Sequence, residues 1–147
     1  MAKDTRTSPM AVSKSKLEEL RKAALEASKN AYCPYSGFPV GASVLTEAGE
    51  IVSGCNVENA SYGLTICAER SAIFRSIALY GKPRIAAVIV YTPTPTPSAP
   101  CGACRQVIRE FGPKAEMYSF CDGESVLHTD INELLPNSFA AEDIKKG

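Results

Sequence analysis

The run Ile85-Ala86-Ala87-Val88-Ile89-Val90-Tyr91 limits what this chain can become more than any other stretch. It is seven residues long and almost unbroken in apolar character, with no 3.6-residue periodicity that a surface helix would need. A strand of this kind has to be covered on both faces, so it predicts the middle of a sheet with helices packed above and below. Gly81 and Pro83 precede it. Thr92 to Pro100 follows, carrying four prolines among threonines, and can be neither helix nor central strand.

The flanking segments supply the cover. Leu17, Leu20, Ala24, Ala27 and Ala31 recur at helical spacing opposite Glu18, Glu19, Arg21 and Lys22, and Pro34 is expected to end that helix. Residues 40–46 and 51–57 are β-branched runs around Glu47-Ala48-Gly49-Glu50, which reads as a hairpin. A helix is expected from Cys67 to Leu79, another from Cys101 to the Gly112-Pro113 stop, and a second hairpin from 116–120 and 125–128 around Asp122-Gly123. A short helix should follow near 130–134. The pattern predicts an α/β protein, a three-layer α/β/α domain with a mixed five-stranded sheet. Residues 1–14 are polar and read as a flexible N-terminal tail, leaving 15–147 as a single domain.

The charge balance narrows the partners. Sixteen Lys and Arg offset sixteen Asp and Glu among 147 residues. A polynucleotide binder normally carries a basic excess to neutralise phosphates, so nucleic acid is not expected as partner. No run reaches membrane-spanning length and no secretory apolar core opens the chain, so no membrane association is expected. If a metal claims three of the six cysteines, Cys33, Cys55 and Cys121 remain as an odd set of free, buried thiols. That points to a reducing compartment, cytoplasmic by default with the nucleus left open.

Chemistry concentrates at two helix starts. Cys101 and Cys104 lie three apart at one of them, so both sulfurs can face one point, and Cys67 opens the other. Three thiolates fit a zinc ion that keeps its fourth position for water, which is the catalytic arrangement; a sealed site takes four ligands. Three thiolates and Zn2+ sum to −1, and Arg70 is placed to balance that charge, against the plain alternative of a solvent-facing helix arginine. Glu69 lies two residues past Cys67 and is not needed as a ligand. It can serve as general acid and base beside the metal-bound water, the alternative being simple complementarity to the helix dipole. Asn56 and Glu58 share one face at a strand end and could grip a sugar hydroxyl, or merely terminate the strand. His128, the sole histidine, sits far from the cysteines on an expected strand and reads as structural.

The segments Thr65-Ile66-Cys67-Ala68-Glu69-Arg70 and Pro100-Cys101-Gly102-Ala103-Cys104-Arg105-Gln106 resemble the zinc-dependent cytidine deaminase family, in its small homotetrameric type with three cysteine ligands. The resemblance spans about Leu17 to Phe139. It implies one Zn2+ per subunit held by Cys67, Cys101 and Cys104. It also implies hydrolysis of cytidine and 2′-deoxycytidine by attack of zinc-activated water at C4, with Glu69 as proton shuttle. It further implies that Phe38 packs on the pyrimidine, that the Ala68 backbone meets the base carbonyl, and that Asn56 and Glu58 bind the ribose 3′-hydroxyl. Tyr62 and Phe139 would reach a neighbouring subunit's site. Three other readings compete. The nearest is a deaminase for a bulky cytosine-containing antibiotic, against which Asn56-x-Glu58 fits the simple ribose better. A polynucleotide cytosine deaminase would use the same zinc, but Glu58 would repel a 3′-phosphate and such relatives place a helix where Asp122-Gly123 makes a hairpin. A non-enzymatic structural zinc module would need Cys55, Cys121 or His128 as fourth ligand. The Thr-Pro run departs from the family pattern and reads as a stiff loop.

Overall fold

The computed structural model describes residues 12–145. Its elements run α1 (Lys14–Ser28), β1 (Gly41–Thr46), β2 (Ile51–Cys55), a 3-10 turn (Tyr62–Leu64), α2 (Ala68–Tyr80), β3 (Ile85–Tyr91), α3 (Gly102–Phe111), β4 (Glu116–Phe120), β5 (Leu127–Asp130), α4 (Ile131–Leu134) and α5 (Ala141–Ile144). The five strands form one sheet in the order β2-β1-β3-β4-β5. Only β3 and β4 run parallel, joined through α3, and the remaining pairs are antiparallel. This is the mixed sheet expected, with β3 at its centre.

Alternation along β3 separates the two cores. Ala87 and Ile89 pack with Leu20 and Ala24 of α1 and with Tyr118 and Phe120 of β4. Val88 faces the other way, toward Ala72 and Ile73 of α2, Ile108 of α3 and Met117 of β4. The helices therefore lie on opposite faces of the sheet, and the layers are α/β/α. Two glycines set how closely they approach. A Cβ on Gly41 would sit 1.8 Å from the Ala24 carbonyl oxygen of α1, and one on Gly54 would sit 2.4 Å from the Ala72 nitrogen of α2. The helix that carries the site is thus seated against β2 by a missing side chain.

Several boundaries differ from the sequence reading. Of the tail expected over residues 1–14, residues 1–11 lie outside the described region. Val12 already packs against the α1-side core, and the Ser13 hydroxyl caps α1 by accepting from the Lys16 amide at 3.2 Å. The first helix stops at Ser28, before Ala31 and Pro34, because the chain beyond is claimed by another partner. Tyr32 bridges in parallel to Val57, its amide donating to the Asn56 carbonyl at 3.0 Å. β5 begins two residues later than expected, since the turn is held elsewhere. The Asp122 amide donates to Thr94 O at 2.9 Å, and the Cys121 thiol faces the carbonyls of Pro95, Gly123 and Ser125 at 3.5–3.6 Å. The Thr-Pro segment is thereby fastened to the end of β4. Cys121 is buried, but Cys33 and Cys55 are only half-buried, unlike the buried thiols expected. His128 stacks on Tyr118 with ring centroids 4.1 Å apart and lies 3.7 Å from the Glu116 carboxylate, a structural setting away from the cysteine cluster.

Candidate active site and metal centre

Cys67 and Cys101 occupy the N-cap positions of α2 and α3, and neither side chain makes a capping hydrogen bond. Both helix N-termini therefore aim uncapped amides and the positive end of the dipole at the same spot. Cys104, one turn into α3, is fully buried behind them. The three Sγ atoms all lie within 4.8 Å of one another, with Cys67 and Cys101 at 3.7 Å. Zn–S bonds of about 2.3 Å in tetrahedral geometry place sulfurs roughly 3.8 Å apart, so the donor set matches zinc in type and spacing. No other cluster of metal-binding side chains occurs among the described residues, and neither Cys55, Cys121 nor His128 joins this one. A four-ligand structural site is not what these residues form.

Arg70 stands beside the sulfurs, its Nη2 3.4 Å from Cys67 Sγ, while its buried Nε has no hydrogen-bond partner. Hydrogen bonding from Cys104, then from Arg70 and Cys101, pulls the Cys67 thiol down to about 5, while the same bond and burial push Cys104 up. Arg70 is itself raised by its hydrogen bond to Cys67 and is a permanent cation here. A half-buried guanidinium against these sulfurs is placed to offset the −1 charge that a three-cysteine zinc centre would carry. Arg70 does not line the cavity in front of the sulfurs, so it stands to one side of it, against Cys67.

The cavity in front has a volume of about 450 Å³. Cys67, Cys101, Ala68 and Glu69 lie among its walls, and Phe38, Asn56 and Glu58 line it too. Glu69 is 4% exposed, and burial pushes its carboxyl above the ordinary value. Asn56 is also buried, and its amide is largely engaged. Oδ1 accepts from the Val40 amide at 2.9 Å and Nδ2 donates to Phe38 O at 2.8 Å, which leaves one N–H free. Glu58 accepts from the Tyr35 and Ser36 amides at 3.0 and 3.1 Å and from the Ser36 hydroxyl.

Besides Arg70 and the buried Cys104, two further residues of the sequence reading lie outside this cavity. Tyr62 is largely exposed in the 3-10 turn, edge-on to Tyr35 at 5.7 Å, and lines an adjoining pocket with Ser36, Glu58 and Thr65. Phe139 is exposed beyond α4, its carbonyl accepting from Gln106 Nε2 at 3.0 Å. The structure in turn adds wall residues that the sequence reading missed. Val90 and Thr92 come from the end of β3, Ser98, Ala99 and Pro100 from the proline-rich segment, and Ser36 and Thr65 from the rim. The direct junction of that segment with Cys101 was the available clue.

The comparisons agree with this geometry. Residues 14–120 match the family model of the cytidine and deoxycytidylate deaminase zinc-binding region. The chain is 44% identical to a cytidine deaminase of Halalkalibacterium halodurans over 126 residues, covering 85% of this chain and 95% of that one. It is 42% identical to a cytidine deaminase of Sporosarcina psychrophila over 130 residues, covering 87% and 94%. Among solved structures, cytidine deaminase from Burkholderia pseudomallei superposes with a TM-score of 0.79 at 47% identity, covering 83% of this chain and 98% of that one. This chain belongs to the cytidine and deoxycytidylate deaminase zinc-binding family.

Proposed function

We propose that the protein is a zinc-dependent hydrolase that converts cytidine and 2′-deoxycytidine, with water, to uridine and 2′-deoxyuridine, releasing ammonia. One observation carries this reading: of three sulfurs spaced for zinc, those of Cys67 and Cys101 share with the buried Glu69 carboxylate the floor of a cavity whose rim holds an amide and a second carboxylate, and Cys104 lies buried behind them. Zinc, when held by Cys67, Cys101 and Cys104, makes a water molecule nucleophilic near neutral pH.

The chain's own residues do the rest. The Glu69 carboxylate takes a proton from the attacking water and delivers it to ring N3. It then carries the second proton to the C4 amine, which leaves as ammonia. Its burial raises its proton affinity, which suits a group that must hold a proton between two transfers. The Phe38 ring packs on the pyrimidine, and the uncapped amide of Ala68 meets the base carbonyl. The free N–H of Asn56 and Oε2 of Glu58 take the 3′-hydroxyl. Neither depends on a 2′-hydroxyl, so both sugars are accepted. A carboxylate at the 3′ position disfavours a continuing phosphate, in keeping with zero net charge and with the β4–β5 hairpin.

The working form is a homotetramer in which Tyr62 and Phe139 of one copy complete a neighbour's site, and their 74% and 59% exposure as large rings at the surface supports this. The role is pyrimidine salvage in the cytoplasm. Among the described residues no helix is long and apolar enough to cross a membrane. The direct test is loss of cytidine ultraviolet absorbance with stoichiometric ammonia release by purified, zinc-loaded protein. Turnover of single-stranded RNA but not of free nucleoside would overturn the reading.

A further inference from the structure

We infer that Ser36 is a positioning residue for sugar recognition, fixing the Glu58 carboxylate so that one oxygen lone pair faces the nucleoside 3′-hydroxyl. This rests on the proposed role of Glu58. The argument starts from what an exposed glutamate costs to orient. Glu58 is half-exposed and follows β2 in irregular chain, where a long side chain holds one rotamer only if neighbours impose it. All three of its hydrogen-bond donors come from Tyr35 and Ser36. The two backbone amides converge on Oε1 and fill that oxygen. The final carboxylate torsion is intrinsically broad, so they leave Oε2 poorly fixed. The Ser36 hydroxyl alone reaches Oε2, and it occupies one of that oxygen's two acceptor directions. One direction remains, which suits a single donor such as one sugar hydroxyl.

The same hydroxyl oxygen accepts from the Phe38 amide at 3.1 Å. Ser36 therefore ties the ring assigned to the base and the carboxylate assigned to the sugar into one hydrogen-bonded unit. Asn56 reinforces it by holding Phe38 O and the Val40 amide. The Ser36 hydroxyl is also the foremost influence holding the Glu58 carboxyl below its usual range, so the acceptor stays ionised.

A serine that merely braced the loop would affect every substrate alike, whereas a serine that aims Glu58 matters only when the 3′-hydroxyl is present. The test compares zinc-loaded wild type, Ser36→Ala, Ser36→Thr and Glu58→Ala with cytidine and with 3′-deoxycytidine, reading kcat and KM separately. The expected result for Ser36→Ala is a KM for cytidine raised about fivefold to tenfold, with kcat little changed and KM for 3′-deoxycytidine within about twofold. Ser36→Thr keeps the hydroxyl and should restore most of the loss. If Glu58→Ala discriminates between the two nucleosides but Ser36→Ala does not, the inference fails and the role of Glu58 stands. If Glu58→Ala weakens both equally, the sugar reading fails and takes the inference with it.

Discussion

At the floor of the cavity Ala68 has no exposed surface and Glu69 is 4% exposed, whereas at the rim Phe38 is 39% exposed and Glu58 lies half in solvent. The floor is made by two helix starts, pressed onto the sheet by Ala72, Ile73 and Ile108 and by the close approach at Gly54. The rim is made of irregular chain, residues 35–40 and 56–65, laced by side-chain hydrogen bonds. Chemistry here needs donors fixed to a fraction of an ångström, and helix starts held by a packed core provide that, even though Cys101 itself is exposed. Recognition needs donors and acceptors that a ligand can reach, so it is built where solvent also reaches. The difference implies that floor substitutions should abolish turnover while rim substitutions should mainly change KM.

The largest effect is expected from Cys104→Ala, which removes a fully buried ligand: stoichiometric zinc and all measurable turnover should be lost together, read by metal analysis and cytidine absorbance. Retained activity would break the floor-and-rim division at once. Glu58→Ala is the rim counterpart. Losing a hydrogen bond to a charged acceptor should raise KM for cytidine by about tenfold or more, with zinc content unchanged. A smaller effect is expected for Arg70→Gln, which removes the cation and ends two bonds short of the Nη2 that meets Cys67 Sγ. Zinc affinity or turnover should fall on the order of tenfold, measured by competition with a chelator and by steady-state kinetics. No change would return Arg70 to the status of an ordinary helix arginine.

The floor was far more legible in the sequence than the rim, for a physical reason. Cys67, Glu69, Cys101 and Cys104 are set by spacing within a helical turn, and that spacing survives directly into the fold. The central strand was equally plain, because a seven-residue apolar run has few places to go. By contrast, the early end of α1 at Ser28 depends on a bridge between Tyr32 and Val57, a contact between residues 25 positions apart that no local pattern announces. Ser36, Thr65 and the Ser98–Pro100 wall were missed for the same reason. Each is an ordinary loop residue until the chain brings it against the cavity. The α5 turn, a single turn at Ala141–Ile144, lies in a stretch without a clear periodic signal.

The most direct test of the account is made on one variant, Glu69→Gln, by measuring zinc per chain and cytidine turnover on the same preparation. The carboxylate is assigned to moving protons and the sulfurs to holding the metal, so one zinc per chain should remain while turnover falls by about a thousandfold or more. Turnover near the wild-type rate, or loss of the metal along with the carboxylate, would contradict that division of labour.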